Sequence, residues 1–234
     1  GDLSSAPDPS FIGKKLNDIF FHRNRLGLLA DENVIMSRSG EFFEFFPETV
    51  TSTLDTDPID VASTHTKVSI LQHAVSFDEE LLIFSEQSQF MVTGGATLTA
   101  SNISINVTTE FEADKKVKPV GSGSNVFFTF NKGNFSGVRE FFVASDTDTK
   151  KADDITANVP KFIPANVFKL ATSTTENILI ALSGDEDNAL YVFQYYVAQN
   201  KRLQSAWHKW TYGTSTSDKI LNVDFIENPL FIVN

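Results

Sequence analysis

Short apolar runs, each closed by a polar turn, recur along this chain about every fifty residues, and that spacing narrows the folds open to it. Centring the first strand of each hairpin on Val34, Leu82, Phe128, Ile180 and Leu230 gives separations of 48, 46, 52 and 50 residues. Residues 68–71, 80–84, 89–92, 103–107, 126–130, 140–143, 178–182 and 191–195 read as strands, because they alternate or run apolar for four to six positions. Polar turns such as Thr93-Gly94-Gly95 and Asn131-Lys132-Gly133-Asn134 separate them. No sustained helical period appears, and residues 17–25 are the best candidate for a turn of helix. A repeat of about 40–50 residues carrying four short strands is the spacing of a β-propeller blade. One blade cannot bury both its faces, so its neighbours must cover it.

The expectation is therefore an all-β, β-propeller-like chain of about five blade-like repeats of short antiparallel strands. Residues 10–234 are read as one such domain and residues 1–9 as a flexible leader. The Trp-Asp and kelch glycine signatures are absent, which keeps a pair of packed sheets as the alternative. The chain opens Gly1-Asp2 and stops inside a strand-like run, Phe231-Ile232-Val233-Asn234. Both ends read as cut, so a fragment of a longer protein is expected, and ring closure is left open.

Composition narrows function more than fold. Thirty carboxylates against nineteen Lys plus Arg give a net charge of -11, which disfavours binding to a nucleic-acid backbone. With no cysteine there is no disulfide framework and no thiolate metal site. No apolar run approaches the length of a membrane span, so no membrane anchor is expected. Phenylalanine is over-used, at 22 residues against four Tyr and two Trp, which leans towards sheet.

Chemical motifs are sparse. His22, His65, His73 and His208 form no HExxH or His-x-His pair, so no metal site is assigned. The clusters Asp55-Thr56-Asp57, Asp146-Thr147-Asp148, Asp153-Asp154 and Asp185-Glu186-Asp187 lack the spacing of a calcium loop and read as turn residues. No Gly-x-Ser-x-Gly elbow occurs, and Gly121-Ser122-Gly123 lacks the third glycine of a dinucleotide loop. No catalytic, cofactor-binding or metal residue is proposed.

The densest stretch runs from Ser10 to Arg38. Arg23 and Arg25 lie there between two apolar clusters, with Asp18, Asp31 and Glu32 available as counter-ions. A buried guanidinium needs carboxylate or carbonyl partners. The structural reading is a strap closing one blade onto the next, and the functional reading is a phosphate site.

This stretch, Asn17-Asp18-Ile19-Phe20-Phe21-His22-Arg23-Asn24-Arg25-Leu26-Gly27 followed by Asp31-Glu32-Asn33-Val34-Ile35-Met36-Ser37-Arg38, resembles the tail tubular protein B, or nozzle, family of short-tailed bacteriophages. The likeness continues through residues 43–47, 57–62, 74–77, 79–82, Gln89-Phe90, 154–157, 159–160, 163–164 and Trp207-His208-Lys209-Trp210. It implies a structural part of the virion tail, working as copies of itself in a six-fold ring beside an adaptor ring and tail fibres. DNA would pass through the lumen without specific binding. The structural motif it marks comprises Asn17, Asp18, Phe20, Phe21, Arg23, Asn24, Arg25, Gly27, Asp31, Glu32, Asn33 and Arg38. The alternative is a glycan-binding or glycan-hydrolysing propeller at the phage tail, which would need two close carboxylates beneath exposed Trp or Tyr.

Overall fold

The computed structural model describes residues 7–49, 51–77, 79–144, 147, 149–198, 201–213 and 218–234. Its contacts gather into two compact units, residues 1–115 and 116–234. Among the described residues all regular structure is strand, in several small antiparallel sheets, and no helix is long and apolar enough to cross a membrane.

The first unit holds two four-stranded sheets. The first sheet runs in chain order through β1 (Leu16–His22), β2 (Arg25–Ala30), β3 (Asn33–Met36) and β4 (Ile59–Ala62). The second does the same with β5 (His73–Phe77), β6 (Glu80–Phe84), β7 (Gln89–Thr93) and β8 (Ser104–Thr109). One core lies between them, where Phe20, Leu29, Val34 and Ile59 of the first sheet meet Ala74, Leu81, Ile83 and Phe90 of the second.

The second unit begins with a sheet of β9 (Val120–Ser122), β10 (Asn125–Lys132), β11 (Phe135–Ala144) and β12 (Thr149–Asp154), extended by β13 (Ile163–Pro164) pairing with β11. A fourth sheet follows with β14 (Val167–Ser173), β15 (Ile178–Ser183), β16 (Glu186–Ala198) and β17 (Lys201–Thr211), and a two-stranded sheet of β18 (Asn222–Phe225) and β19 (Leu230–Val233) ends the chain. Period-two alternation splits the fourth sheet between two cores. Leu170, Leu179, Ala181, Tyr191 and Phe193 face Phe127 and Val138 of the third sheet. Ala171, Ile178, Ile180, Leu182 and Val192 face Val223 of the fifth and Ile220 just before it. All six residues of β15, and all six of β2, are buried. A strand covered on both faces runs apolar, and β15 carries that signal, whereas β2 opens with the charged Arg25.

Three expectations need correcting. Leu82, Phe128 and Ile180 lie in the second strands of their sheets, whereas Val34 lies in the third strand of the first. The counterpart of Leu82 there is in β2, because the Arg25–Ala30 strand is the one buried throughout. Residues 17–25 are no turn of helix but β1, a two-residue turn and the start of β2. Residues 68–71 are not a strand: Ser69 and Leu71 donate their amides singly, to the Glu32 carboxylate at 3.0 Å and the Asp31 carbonyl at 2.7 Å. Edge segments such as these lack a ladder because no apolar face holds them in register.

Candidate functional site

The sequence motif folds around a hairpin whose polar groups are committed partly to backbone and partly to neighbouring side chains. Phe20 and His22 point into the unit, while Ile19 and Phe21 remain exposed. At the turn, Arg23 and Asn24 both take positive φ, 45° and 61°. That pair of values makes a type I′ turn, whose twist suits a two-residue hairpin. Phe20 sits opposite Gly27, and a Cβ on Gly27 would lie 2.1 Å from the Phe20 ring. The glycine is thus required by the ring lying over it. The same spacing recurs in the third sheet, where Phe130 faces Gly137 across a Gly133-Asn134 turn and a Cβ on Gly137 would lie 2.4 Å from the ring.

Arg25 is the centre of the motif. It is 1% exposed, and Nη1 donates to the carbonyls of Ser37 and Asp57 at 2.7 Å each, while Nη2 donates to those of Asp55 at 2.8 Å and Leu98 at 3.2 Å. Leu98 belongs to the second sheet's connections, so one side chain ties the first sheet to the second. Burial lowers the pKa of Arg25, and the charge of Asp57 opposes that shift. Asp57 in turn accepts amide hydrogen bonds from Leu54 at 2.8 Å and Glu48 at 3.2 Å. Arg23 donates to the Gly95 carbonyl at 2.6 Å, again on the second sheet.

The counter-ions expected for these arginines have other partners. Asp18 accepts the Ala74 amide at 2.9 Å, Asp31 pairs with Lys14 at 2.8 Å, and Glu32 takes the Ser69 amide. Asn17 donates to the Leu71 carbonyl at 2.8 Å, from the position where a bulge breaks the β1–β2 register. Asn24 accepts the Gly40 amide, and Asn33 donates to Asp60 at 2.9 Å. Arg38 pairs with Glu41 at 2.8 Å and also with Glu48. Phe21 meets Phe42 edge to face, with centroids 5.1 Å apart. The motif therefore comes together as a set of joints around the β1–β2 hairpin.

Sequence reading missed the corresponding joint of the second unit. Arg202 on β17 grips Glu140 on β11 with two bonds of 2.5 Å, and Asn125 donates to the same carboxylate at 2.6 Å. The guanidinium lies over the rings of Tyr195 and Phe193, at 4.7 and 5.5 Å. Glu140 is 4% exposed. Its signal was present, since a carboxylate inside the run Val138-Arg139-Glu140-Phe141-Phe142 demands a cation. Asp154 is a second such joint: burial pushes its pKa up, but bonds from Lys132 and Thr156 outweigh this and hold it below the usual range.

The remaining candidates are also placed. His65 lies 3.4 Å from Glu110, His73 donates to the Lys115 carbonyl, and His208 is exposed on β17. Asp185, Glu186 and Asp187 pair with Asn166, Lys209 and Lys219 respectively. Asp146 and Asp148 lie outside the described residues. Among the described residues no three His, Asp or Glu side chains gather as a metal group. A cleft of about 380 Å³ runs between residues 118–121 and 168–172. Its lining carboxylate, Asp224, is 3.1 Å from Lys169, and its lining aromatic is Phe168.

A family model described as bacteriophage nozzle protein matches residues 1–234. The chain belongs to the bacteriophage nozzle family. A curated relative, the tail tubular protein gp12 of Escherichia phage T7, is 36% identical over all 234 residues. The chain spans 29% of that relative's length. Among solved structures, Hsv2p of Kluyveromyces lactis matches 88% of this chain and 54% of its own at 10% identity and a TM-score of 0.50, a likeness of fold alone. The Nup170 N-terminal domain complex of Chaetomium thermophilum matches 82% of the chain at a TM-score of 0.47.

Proposed function

We propose that this chain is a non-enzymatic segment of a phage tail tube, part of the conduit through which DNA leaves the virion. As a nozzle-family protein it is a structural component of the tail, and its place is the virion. The observation carrying the reading is the family match along the whole chain. The chemistry agrees with it: the conspicuous polar side chains, Arg25, Asp57, Glu140, Asp154 and Arg202, each hold strands or sheets to one another. No cleft described above offers two neighbouring carboxylates beneath a Trp or Tyr, as glycoside hydrolysis would need.

The finer architecture follows as part of the proposal. Five sheets of sequence-consecutive strands, four of them with at least four strands, are read as propeller blades in one domain over residues 10–234. The residues of the Asn17–Arg38 motif are read as the family's structural signature. In the virion, copies form a six-fold ring against an adaptor ring, with tail fibres beside it. Gold-labelled antibodies against this chain should decorate the tails of intact virions, and label confined to the capsid would overturn the assignment. An assay with envelope polysaccharide should yield no hydrolysis. Hydrolysis lost on replacing a single carboxylate would establish the glycan alternative instead.

A further inference from the structure

All four tyrosines and both tryptophans of this chain lie between Tyr191 and Tyr212. The surrounding residues 188–217 contain no Asp or Glu, although the chain has thirty, and they carry Lys201, Arg202 and Lys209. This composition belongs to the β16–β17 hairpin beyond Glu186 and Asp187, whose strands outrun the sheet: pairing of β16 with β15 ends at Gln194, while pairing with β17 continues to Ala198. Part of the aromatic set is core, Tyr191 and Phe193 among it. Tyr195 and Trp207 pack against the same core and Tyr212 against the next, while Tyr196 at 58%, Val197 at 42%, Leu203 at 64% and Trp210 at 41% reach solvent. An exposed Tyr and Trp beside two exposed aliphatics, on strands that carry no carboxylate after Asp187, have the composition of an interface core.

The charges choose the partner. Arg202 and Lys209 are engaged by Glu140 and Glu186, which leaves little to attract a phosphate backbone. A protein surface that is apolar and rimmed by carboxylates suits the hairpin better, and this chain has one. Phe43 is 87% exposed and Phe46 43%, in a loop whose other phenylalanines are anchored, Phe42 on Phe21 and Phe45 on Phe11. Glu41, Glu44 and Glu48 flank it against the single cation Arg38. Two copies of a chain with net charge -11 repel each other over most faces. The hairpin, with no carboxylate beyond Asp187, escapes this repulsion when it meets the acidic phenylalanine loop.

We propose that the β16–β17 hairpin of one copy docks onto the Phe43 loop of a second copy, a head-to-tail contact of the kind that builds rings. The proposal rests on the tail-tube reading and specifies the surfaces by which copies meet. The chain has no cysteine of its own, so single cysteines report cleanly. A mixture of Phe43→Cys and Tyr196→Cys chains should form mixed disulfide dimers about tenfold faster than a mixture of the exposed-site variants Lys161→Cys and Thr175→Cys. Adding Leu203→Ser to the Tyr196→Cys chain should return the rate to that of the control. Because both tryptophans sit in the hairpin, the unmodified chain should also show a blue shift of Trp emission as its concentration rises, with no variant involved. Equal disulfide rates for both mixtures, or emission independent of concentration, would overturn the contact. If the parent protein bearing Phe43→Ser and Tyr196→Ser still assembles into tails, the contact again falls while the tail-tube reading stands. If the unmodified parent protein is missing from purified tails, it is the tail-tube reading that falls.

Discussion

Arg202 and Glu140 illustrate how unequal two ends of one ion pair can be. The Glu140 side chain is 5% exposed and that of Arg202 26%. Removing the arginine strands a buried carboxylate, whereas removing the carboxylate leaves a guanidinium that can still reach water. Arg202→Ala should therefore cost about 3–5 kcal/mol of unfolding free energy, and Glu140→Ala clearly less. Urea titrations of the two variants check the order. His22 sets a different limit. It is 8% exposed, and burial, aided by the charge of Arg23, lowers its pKa. The unfolded chain takes up a proton near pH 6.5 while the folded one resists, so the unfolded state binds more protons as pH falls. Stability is unaffected by His22 above about pH 6.5 and declines below it until the folded pKa is reached. Melting curves of His22→Gln should be flatter than those of the parent chain across that window. An unchanged slope would assign the acid sensitivity to other groups.

At the scale of elements, the Phe20–Gly27 pair makes a specific demand on the first hairpin. Gly27→Ala should destabilise by about 1–3 kcal/mol through overpacking, and the combination with Phe20→Leu should cost less than the sum of the two single changes. Strict additivity in thermal melts would show that the ring does not enforce the glycine. Legibility in the sequence followed burial. β6, β10 and β15 contain runs of four to six buried residues, and those runs supplied the repeat. Edge strands such as β12, Thr149-Lys150-Lys151-Ala152-Asp153-Asp154, carry charges that discourage stray pairing, and the same charges hid them from pattern reading. The β1–β2 turn escaped because it uses Arg23-Asn24 where glycine would have announced it. Arg25 was visible as a cation among apolar residues, but sequence offered carboxylates as its partners. The carbonyls it binds belong to backbone at residues 37, 55, 57 and 98, which no side-chain pattern can reveal.

At the scale of the whole molecule, the net charge of -11 is compounded by pairing of its cations: Lys14, Lys115, Lys132, Lys169 and Lys219 each lie within 3.1 Å of a carboxylate oxygen. Labelled duplex DNA at low salt should show no change in fluorescence anisotropy with micromolar protein, as the proposed conduit requires. Binding that weakens steeply with salt would reveal phosphate contacts. The Arg25 joint has a further consequence, for the time at which the protein becomes itself. Strands in each sheet pair with neighbours close in sequence, so each sheet can form as soon as its own residues leave the ribosome. Arg25 and Leu98 stand 73 residues apart. Until position 98 has been synthesised, the guanidinium lacks one of its acceptors and the first sheet has no second sheet to cover it. The first quarter of the chain is thus made before it can close, and a nascent polypeptide halted there would present a hydrated arginine and an open apolar face to any chaperone waiting at the tunnel mouth.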